Sequence, residues 1–224
     1  MKRIVTSSQV AELLQEQLNV WELARNNYDA LKQVKVKELA FDNFKIKVQF
    51  NPARIVSSSA KIDTKSIQER KCFLCRQNRP VEQMRIPIGE DYEILINPFP
   101  IFPKHLTIPS CKHVDQRIAG RLGDMLDLAY NIDEYTIFYN GPKCGASAPD
   151  HVHFQAGSKG FLTIEKEWRQ FAIKPVLEFQ SAKLYILHNY LKGTFVIESD
   201  SKENAVELFE QIYASMEVKP GEEE

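Results

Sequence analysis

The sequence has no surplus of charge of either sign and no long apolar run. Its 29 basic residues are balanced by 30 acidic residues, for a net charge of −1, which disfavours nucleic acid as the main partner. No segment approaches the roughly 20 apolar residues needed to span a bilayer, and the amino-terminal residues lack the apolar core of a signal peptide. The chain is therefore expected to be soluble and cytoplasmic, with no membrane partner.

Cysteine is also scarce. Four cysteines in 224 residues, in an intracellular protein, favour thiols or metal ligands over a disulfide framework. Two of them form Cys72-Phe-Leu-Cys75, a spacing that is shared by zinc knuckles and redox motifs and that also arises by chance. No β-α-β pattern opens a helix at this motif, so a thioredoxin-type redox site is disfavoured.

Hydrophobic periodicity predicts an α+β protein with a mainly antiparallel sheet. Helices are predicted at about residues 7–37, 114–130 and 201–216. Strands are predicted at residues 44–50, 92–96, 105–109, 135–139 and 151–155, followed by a hairpin of 183–188 and 194–198. Residues 57–70 are expected to form a surface loop, and residues 219–224 a disordered acidic tail.

The most informative stretch is His151-Val-His-Phe-Gln155, which follows a turn rich in glycine, serine and proline. On a strand, the two histidines and the glutamine share one face, while Val152 and Phe154 point into a core. Neutral imidazole is nucleophilic near pH 7 because its unperturbed pKa is about 6.5. This face therefore suits chemistry on an anion, and the alternative is a half-exposed edge strand with two incidental histidines.

A longer run of motifs resembles the histidine-triad superfamily. The run FPKHLTIPSCKH at residues 102–113 is followed by a helix, a strand and the pattern Gly-x-Ser…His-x-His-x-Gln. Glutamine stands at position 155, where hydrolase members carry a third histidine, and this points to the transferase branch. That branch contains galactose-1-phosphate uridylyltransferases, GDP-galactose phosphorylases and diadenosine tetraphosphate phosphorylases. Further marks match the uridylyltransferase pattern: Asn51-Pro52, Cys72-Phe-Leu-Cys75, Asn97, His113, Asn140 and Gly145-Ala-Ser147.

The resemblance implies a histidine-triad-like domain at residues 41–160, with its sheet flanked by helices. Residues 1–40 are an added N-terminal helical region, and residues 161–224 are a C-terminal extension that corresponds to a partial second half. Members of the branch usually carry a second, degenerate copy of the fold. The extension is thus expected to begin a truncated second repeat, or else the chain is a compact single-copy relative.

The resemblance also implies a two-step transfer. His153 is the nucleophile that attacks the α-phosphorus of a nucleotide sugar or a dinucleoside polyphosphate, and a phosphate or sugar phosphate then accepts the nucleotidyl group. Gln155 donates to a phosphoryl oxygen without being a proton source, which favours transfer over hydrolysis. A homodimer is compatible with this branch.

The remaining substrate contacts follow from the same resemblance. Ser147 and the backbone N–H groups of Gly145 and Ala146 are expected to cradle the anion, and Lys143 to add a charge. Asn140 is expected to hold this loop, and Asn97 and Phe99 to contact the ribose or the base. Arg54 and Lys61 could reach the β-phosphate or the second substrate, but they are interpreted as surface charge. His105 is interpreted as a structural residue.

A metal site is implied as well. The residues that match the zinc ligands of the uridylyltransferase pattern are Cys72, Cys75, His113 and His151. Two cysteines and two histidines complete a tetrahedral set, so zinc there is structural and orients His151. Cys111 is a rival ligand, and the alternative is a buried pair of thiols with two unrelated histidines.

Two other functions stay open at this point. One is a histidine-triad nucleotide hydrolase, against which Gln155 argues. The other is a non-catalytic, zinc-stabilised nucleotide-binding module.

Overall fold

The computed structural model describes residues 4–54 and 63–217. The helices are α1 Ser7–Val20, α2 Glu22–Leu31, α3 Thr64–Glu69, α4 Leu122–Asn131, α5 Ile164–Phe171 and α6 Lys202–Ser215. The strands are β1 Lys35–Ala40, β2 Lys45–Phe50, β3 Arg85–Ile88, β4 Tyr92–Ile96, β5 His105–Pro109, β6 Tyr135–Phe138, β7 His153–Ser158, β8 Leu177–Phe179, β9 Ala182–Ile186 and β10 Phe195–Glu198. Every strand pairing is antiparallel, which confirms the predicted α+β class with a mainly antiparallel sheet.

The central sheet has five strands in the order β3-β4-β5-β7-β6. Its strands alternate, so that side chains at every second position share a face. One face is apolar and packs against α1 and α4, with Ile94, Ile96, Ile108 and Phe154 fully buried. The opposite face carries His105, Thr107, His153 and Gln155. The sheet thus separates the hydrophobic core from the residues that carry chemistry.

The single helix predicted at residues 7–37 is wrong in extent. Thr6 and Gln9 form a reciprocal capping box at the start of α1, but the buried Trp21 has an extended backbone and separates α1 from α2. The chain leaves the helical conformation after Leu31, and Lys35–Ala40 pairs along its whole length with β2. Cross-strand hydrogen bonding therefore overrides the helical periodicity of this segment.

The helix predicted at residues 114–130 begins only at Leu122. The preceding residues are extended along the chain that leads into β7. Val152 N–H donates to the carbonyl of Val114 at 2.7 Å, and Gln116 N–H donates to the carbonyl of Pro149 at 3.0 Å. These long-range hydrogen bonds satisfy the backbone in place of a helix.

Two further predictions are modified, and a third lies outside the described residues. Strand β7 begins at His153 rather than His151 and continues to Ser158. The segment predicted as a loop at 57–70 contains the short helix α3, which Asp63 caps by accepting from Ser66 N–H, while residues 57–62 lie outside the described residues. The tail predicted at 219–224 also lies outside them.

The C-terminal part of the chain forms a separate layer of three strands in the order β10-β9-β8. The predicted hairpin and the predicted final helix, which Ser201 caps, are confirmed. Ala182 and Leu184 on the sheet pack against Leu208 on α6. Its correspondence to a second repeat stays a prediction. In the described residues, no helix is both long enough and apolar enough to cross a membrane.

Candidate active site and metal cluster

A cavity of about 390 Å³ opens on the polar face of the central sheet. Its floor is a row of four residues that are paired directly across four strands. Leu95 pairs with Thr107, Thr107 with Gln155, and Gln155 with Phe138. His153, two residues before Gln155, lines the same cavity. The strand register therefore places both predicted catalytic side chains in one site.

His153 is almost completely buried, and its ring orientation is defined by a hydrogen bond. Nδ1 lies 2.8 Å from the carbonyl oxygen of His151. Because a carbonyl can only accept, Nδ1 carries the proton and Nε2 keeps its lone pair. Burial lowers the pKa of His153 and outweighs the hydrogen bond to the carbonyl of His151, which raises it. The ring is neutral at neutral pH, which is the nucleophilic form.

The side-chain amide of Gln116 forms hydrogen bonds with both the N–H and the carbonyl of His153. Its Oε1 accepts from His153 N–H at 2.7 Å, while its Nε2 donates to the carbonyl of His153 at 3.1 Å. The same Nε2 donates to the carbonyl of Asn140 at 2.9 Å. Gln116 is buried, so one amide connects the candidate nucleophile to the start of the glycine-rich loop.

His105 sets the orientation of Gln155. Ile101 N–H donates to Nδ1 of His105 at 3.2 Å, so the ring proton resides on Nε2. Nε2 lies 3.1 Å from Oε1 of Gln155 and donates to it. Burial lowers the pKa of His105 to about 4, which keeps this tautomer neutral. The side-chain nitrogen of Gln155 can then donate a hydrogen bond to another acceptor.

The glycine-rich loop supplies part of the cavity wall. Asn140, Gly145 and Ser147 line the cavity. Gly145 has a φ of +94°, a conformation that L side chains rarely adopt. Ala146 is buried and Lys143 is exposed, and neither residue lines the cavity.

Asn97 and Phe99 also line the cavity, on the loop that follows β4. Asn97 Nδ2 donates to Thr107 Oγ1 at 3.0 Å, and its Oδ1 accepts from Phe99 N–H at 2.9 Å. These bonds fix the loop against the sheet floor. Beyond them the cavity becomes apolar, with Trp21, Leu23, Phe73 and Leu74 in its wall.

Cys72, Cys75, His113 and His151 form a cluster in which all four ligand atoms lie within 4.8 Å of one another. Nδ1 of His151 lies 3.3 Å from Sγ of Cys72 and 3.6 Å from Sγ of Cys75. Nδ1 of His113 lies 3.2 Å from Sγ of Cys75. Cys111 is exposed and is not part of the cluster, so the predicted rival ligand is not brought to it.

The four residues fit a tetrahedral metal ion. Bond lengths of about 2.3 Å to sulfur and 2.0 Å to nitrogen imply N···S separations of about 3.5 Å, close to those observed. Nε2 of His151 donates to the carbonyl of Ser110 at 2.8 Å, so its Nδ1 lone pair is directed at the thiols. Burial and the neighbouring Cys72 raise the pKa of Cys75. Two adjacent thiolates there require a cation. The cluster could bind a metal.

Ion pairs hold this cluster against the sheet. Glu93 on β4 is buried and accepts from Arg76, Arg79 and Arg85. Arg79 also donates to the carbonyl of Leu74, between the two cysteines, at 2.6 Å and 2.8 Å. Burial opposes the charge of Glu93, but the arginines outweigh it and hold the pKa of this carboxyl below its usual range. The ion pair of Glu93 and Arg79 thus fixes the position of the Cys-x-x-Cys turn.

A second ion pair joins the cluster to the glycine-rich loop. Arg70 donates to Asp150 Oδ1 at 2.7 Å, and Asp150 Oδ2 lies 3.7 Å from Nε2 of His113. Arg70 also contacts the ring of Phe73 at 5.1 Å, and Phe73 lines the cavity. The four-residue cluster and the cavity are therefore adjacent parts of one structure.

A family model described as "Domain of unknown function (DUF4922)" matches residues 13–158, which is more than half of the chain. The chain belongs to this family. The match begins inside α1 and ends at the last residue of β7, so the family includes the central sheet, the cavity and the four-residue cluster. The C-terminal layer lies beyond the match.

A stretch of the chain is similar to a curated enzyme of Saccharomyces cerevisiae, diadenosine 5',5'''-P1,P4-tetraphosphate phosphorylase 2. The two are 34% identical over 80 residues, which cover 29% of this chain and 24% of the relative. Two solved structures of yeast Ap4A phosphorylase also match. The complex with AMP has 19% identity, covers 89% of this chain and 70% of its own, and gives a TM-score of 0.45. The complex with Ap4A has 18% identity, covers 75% and 65%, and gives 0.44.

Three residues that line the cavity or contact its lining residues were not assigned to the site from the sequence. His105 lies in the motif run at residues 102–113, and the register of β5 against β7 shows what it contacts. Gln116 falls within a predicted helix, where a glutamine carries no signal. Arg54 follows a strand in an Asn-Pro turn, and the structure places it in the cavity wall rather than among surface charges.

Proposed function

We propose that the chain is a nucleotidyltransferase of the phosphorylase type, which acts on a dinucleoside polyphosphate through a covalent nucleotidyl-His153 intermediate. A nucleotide sugar is the second donor class. The observation that carries the proposal is the pairing of a neutral His153, whose Nε2 keeps its lone pair, with the oriented amide of Gln155 in one cavity. Similarity to a diadenosine tetraphosphate phosphorylase supports the choice of donor.

The first step forms the intermediate. The Nε2 lone pair attacks the α-phosphorus, the bond from phosphorus to the bridging oxygen breaks, and its electron pair leaves with the departing phosphate. The Nδ1 proton stays on the ring and continues to donate to the carbonyl of His151, which stabilises the imidazolium. Division of the transfer into two displacements is covalent catalysis.

The second step releases the nucleotide. An oxygen of the acceptor phosphate attacks the same phosphorus, the phosphorus–nitrogen bond breaks, and the electron pair returns to Nε2. Each step needs neutralisation of the equatorial oxygens more than bond-making by the protein. Gln155 and the loop at Gly145 and Ser147 supply neutral donors for those oxygens.

The size and chemistry of the cavity suit one nucleotide. A volume of about 390 Å³ lies near the lower end of the range for ligand sites, which is about 300–1,000 Å³. Its apolar end, with Leu23 and Phe73, suits a base, and its polar end at Asn97, His153 and Gln155 suits the ribose and α-phosphate. The second nucleoside of a dinucleotide then extends towards the opening.

We also propose that the metal is zinc, held by Cys72, Cys75, His113 and His151. Bound zinc supplies structural cross-linking and no open coordination position, because the four protein ligands complete its tetrahedron. His151 precedes His153 by two residues, and the carbonyl of His151 accepts a hydrogen bond from Nδ1 of His153. Fixing His151 therefore fixes the ring that reacts.

A mass measurement tests the proposed reaction. The protein is incubated with Ap4A, with ADP-, GDP- and UDP-sugars, quenched in base and digested. A nucleotide-sized adduct is expected on the His153 peptide, and His153→Gln is expected to abolish it. His188→Gln removes an exposed histidine of the C-terminal layer and is the matched control.

The outcomes separate the competing functions. No adduct with any donor, from zinc-replete protein, would leave only the binding-module hypothesis. An adduct that water discharges as fast as phosphate does would favour the hydrolase. Discharge by inorganic phosphate but not by a hexose phosphate would select the phosphorylase.

A further inference from the structure

The end of helix α1 forms part of the cavity wall, at the apolar end of the cavity. Trp21, at the break between α1 and α2, is 6% exposed and lines the cavity. Its N–H donates to the carbonyl of Gln17 at 2.9 Å, so the two residues lie one helical turn apart. The N-terminal helices therefore belong to the site, although the transfer chemistry proposed above uses none of their residues.

Gln17 holds the segment that leads into β3. The side chain of Gln17 is fully buried. Its Nε2 donates to the carbonyl of Glu82 at 2.7 Å, and its Oε1 accepts from the N–H of Met84 at 2.7 Å. Both ends of one buried amide are thus bonded to the residues on either side of Gln83. This arrangement fixes the backbone of Gln83 relative to α1.

Gln83 is a polar side chain among apolar ones. Six residues line the apolar end of the cavity from the α1–α2 junction and from the segment that begins in the Cys-x-x-Cys turn: Trp21, Leu23, Phe73, Leu74, Pro80 and Gln83. Of these described residues, Gln83 is the single one whose side chain contains a hydrogen-bond acceptor, because the indole nitrogen of tryptophan only donates. A polar group in a largely apolar pocket orients the ligand and supplies specificity.

A hydrogen bond to the sheet distinguishes the two ends of the Gln83 amide. Nε2 donates to the carbonyl of Ile96, the last residue of β4, at 3.4 Å. Because a carbonyl can only accept, the amide atom that faces it is the nitrogen. Oε1 is then the acceptor that Gln83 can offer to a base, and the second proton of Nε2 is a donor beside it.

An acceptor beside a donor matches one class of base edge. Adenine has an amino group and a neighbouring ring nitrogen that accepts, and a glutamine amide forms two hydrogen bonds with this pair. Cytosine has the same pair of groups on a smaller ring. Guanine and uracil have a carbonyl oxygen in place of the amino group, so two acceptors would face each other across the contact.

We infer that Gln83 recognises the exocyclic amino group of the donor base and thereby restricts the donor to adenine nucleotides, with Gln17 as the residue that positions it. This inference rests on the proposed function and adds the base to it. A site built around a hydrogen bond rejects an analogue that lacks the matching group, because the polar atoms of the site are then left unpaired. Selection at Gln83 acts on nucleotide binding and is separate from the transfer at His153.

Binding of nucleoside monophosphates tests the inference without turnover. AMP, IMP and purine riboside 5'-monophosphate have an amino group, a carbonyl oxygen and a hydrogen, respectively, at C6 of the base. Calorimetric titration is expected to give AMP a dissociation constant roughly tenfold or more below that of IMP, with the purine riboside nucleotide between them. In Gln83→Leu, the three constants are expected to agree within about threefold. Gln77→Leu removes an exposed glutamine that does not line the cavity, and it is expected to keep the wild-type ratio.

Gln17→Leu tests the positioning role, because the side chain of Gln17 is buried and does not line the cavity. The ratio of the IMP and AMP dissociation constants is expected to fall towards that of Gln83→Leu. A merely structural role would weaken the binding of both nucleotides equally. An unchanged ratio in Gln17→Leu would therefore overturn the assignment of Gln17.

The outcomes also separate this inference from the proposed function. Equal affinities for AMP and IMP in the wild-type protein, or an unchanged ratio in Gln83→Leu, would overturn the inference and leave the proposed function intact. Selective binding of AMP without an adduct from Ap4A would support the base site and contradict the transfer. Failure of all three nucleotides to bind would overturn both.

Discussion

The imidazole of His105 donates through Nε2 to Oε1 of Gln155 across adjacent strands, at 3.1 Å. The partner of Nδ1 is the N–H of Ile101, so both ring nitrogens are committed and the ring is neutral. A charged His105 would lose the bond to Ile101, because a protonated Nδ1 cannot accept. The neutral ring therefore joins Gln155 to the backbone at Ile101, and protonation of His105 would break the bond to Ile101.

This arrangement makes stability dependent on pH. Burial lowers the pKa of His105 to about 4 in the folded protein, whereas the unfolded value is about 6.5. As the pH falls from 6.5 to 4, the unfolded chain gains a proton that the folded chain does not, so His105 contributes a progressive loss of stability of up to about 3 kcal/mol. His105→Gln removes this contribution.

Urea unfolding at pH 7 and pH 4.5 measures the contribution of His105 to the free energy of unfolding. The wild-type protein is expected to lose more stability between these values than His105→Gln does. The other titrating groups are common to both proteins and cancel in the comparison. Parallel curves for the two proteins would contradict the assigned pKa and its cause.

Removal of one thiol tests the metal cluster. Cys72 is buried and its Sγ lies within the four-ligand set, so Cys72→Ser is expected to reduce zinc from about one ion per chain to near zero. Thermal unfolding is expected to shift downwards, and a chelator should have little further effect on the variant. Metal content is measured by elemental mass spectrometry.

Cys144→Ser is the matched control, because Cys144 is an exposed cysteine outside the cluster. It is expected to retain the metal and the unfolding temperature. Equal zinc content in both variants, or none in the wild-type protein, would refute the proposed site.

Replacement of Gln116 tests the support of His153. Gln116→Leu leaves the N–H of His153 and the carbonyls of His153 and Asn140 without this partner, and unsatisfied buried groups cost about 1–3 kcal/mol each. A loss of on the order of 3 kcal/mol or more in unfolding free energy is expected, with slower formation of the His153 adduct. Gln33→Leu, at an exposed position, should leave both unchanged. If the two variants behave alike, Gln116 does not hold the nucleophile.

Neutralisation of Glu93 tests the support of the Cys-x-x-Cys turn. The side chains of Glu93 and Arg79 are 2% and 5% exposed, so Glu93→Gln leaves a buried cation with a weaker partner. Breaking a buried pair in this way costs about 3–5 kcal/mol. Denaturant titration should show a loss near this size, together with weaker zinc retention during dialysis.

Glu38→Gln is its control, since Glu38 forms an exposed pair with Lys45 and exposed pairs contribute little. A loss for Glu93→Gln no greater than that of this control would show that the arginines do not depend on Glu93.

Much of the candidate site could be predicted from local patterns. A period of two places His153 and Gln155 on the same face of β7 wherever that strand lies. The spacing of Cys72 and Cys75, together with the resemblance, selected the two histidines that the structure brings to them. The antiparallel α+β class follows in the same way from the order of short strands and helices.

The wrong predictions lie where hydrogen bonds to other segments of the chain determine the backbone conformation. Helical periodicity continues through residues 32–37, but the helix ends at Leu31 and pairing with β2 makes residues 35–37 part of a strand. Periodicity also predicts a helix from Val114, but hydrogen bonds to Pro149 and Val152 extend the chain there. In each case a long-range hydrogen bond replaces a local one of similar strength, and a local pattern contains no information about it.

The sequence by itself determined which side chains could do chemistry, because alternation places His153 and Gln155 on one face. The resemblance then assigned them the roles of nucleophile and neutral donor and selected the sulfur ligands as candidates. Only the tertiary structure decided what surrounds them. Register brings His105 to Gln155, an extended segment brings Gln116 to His153, and an Asn-Pro turn brings Arg54 into the cavity wall. These contacts join residues that are 37 to about 100 positions apart, and folding alone makes them neighbours.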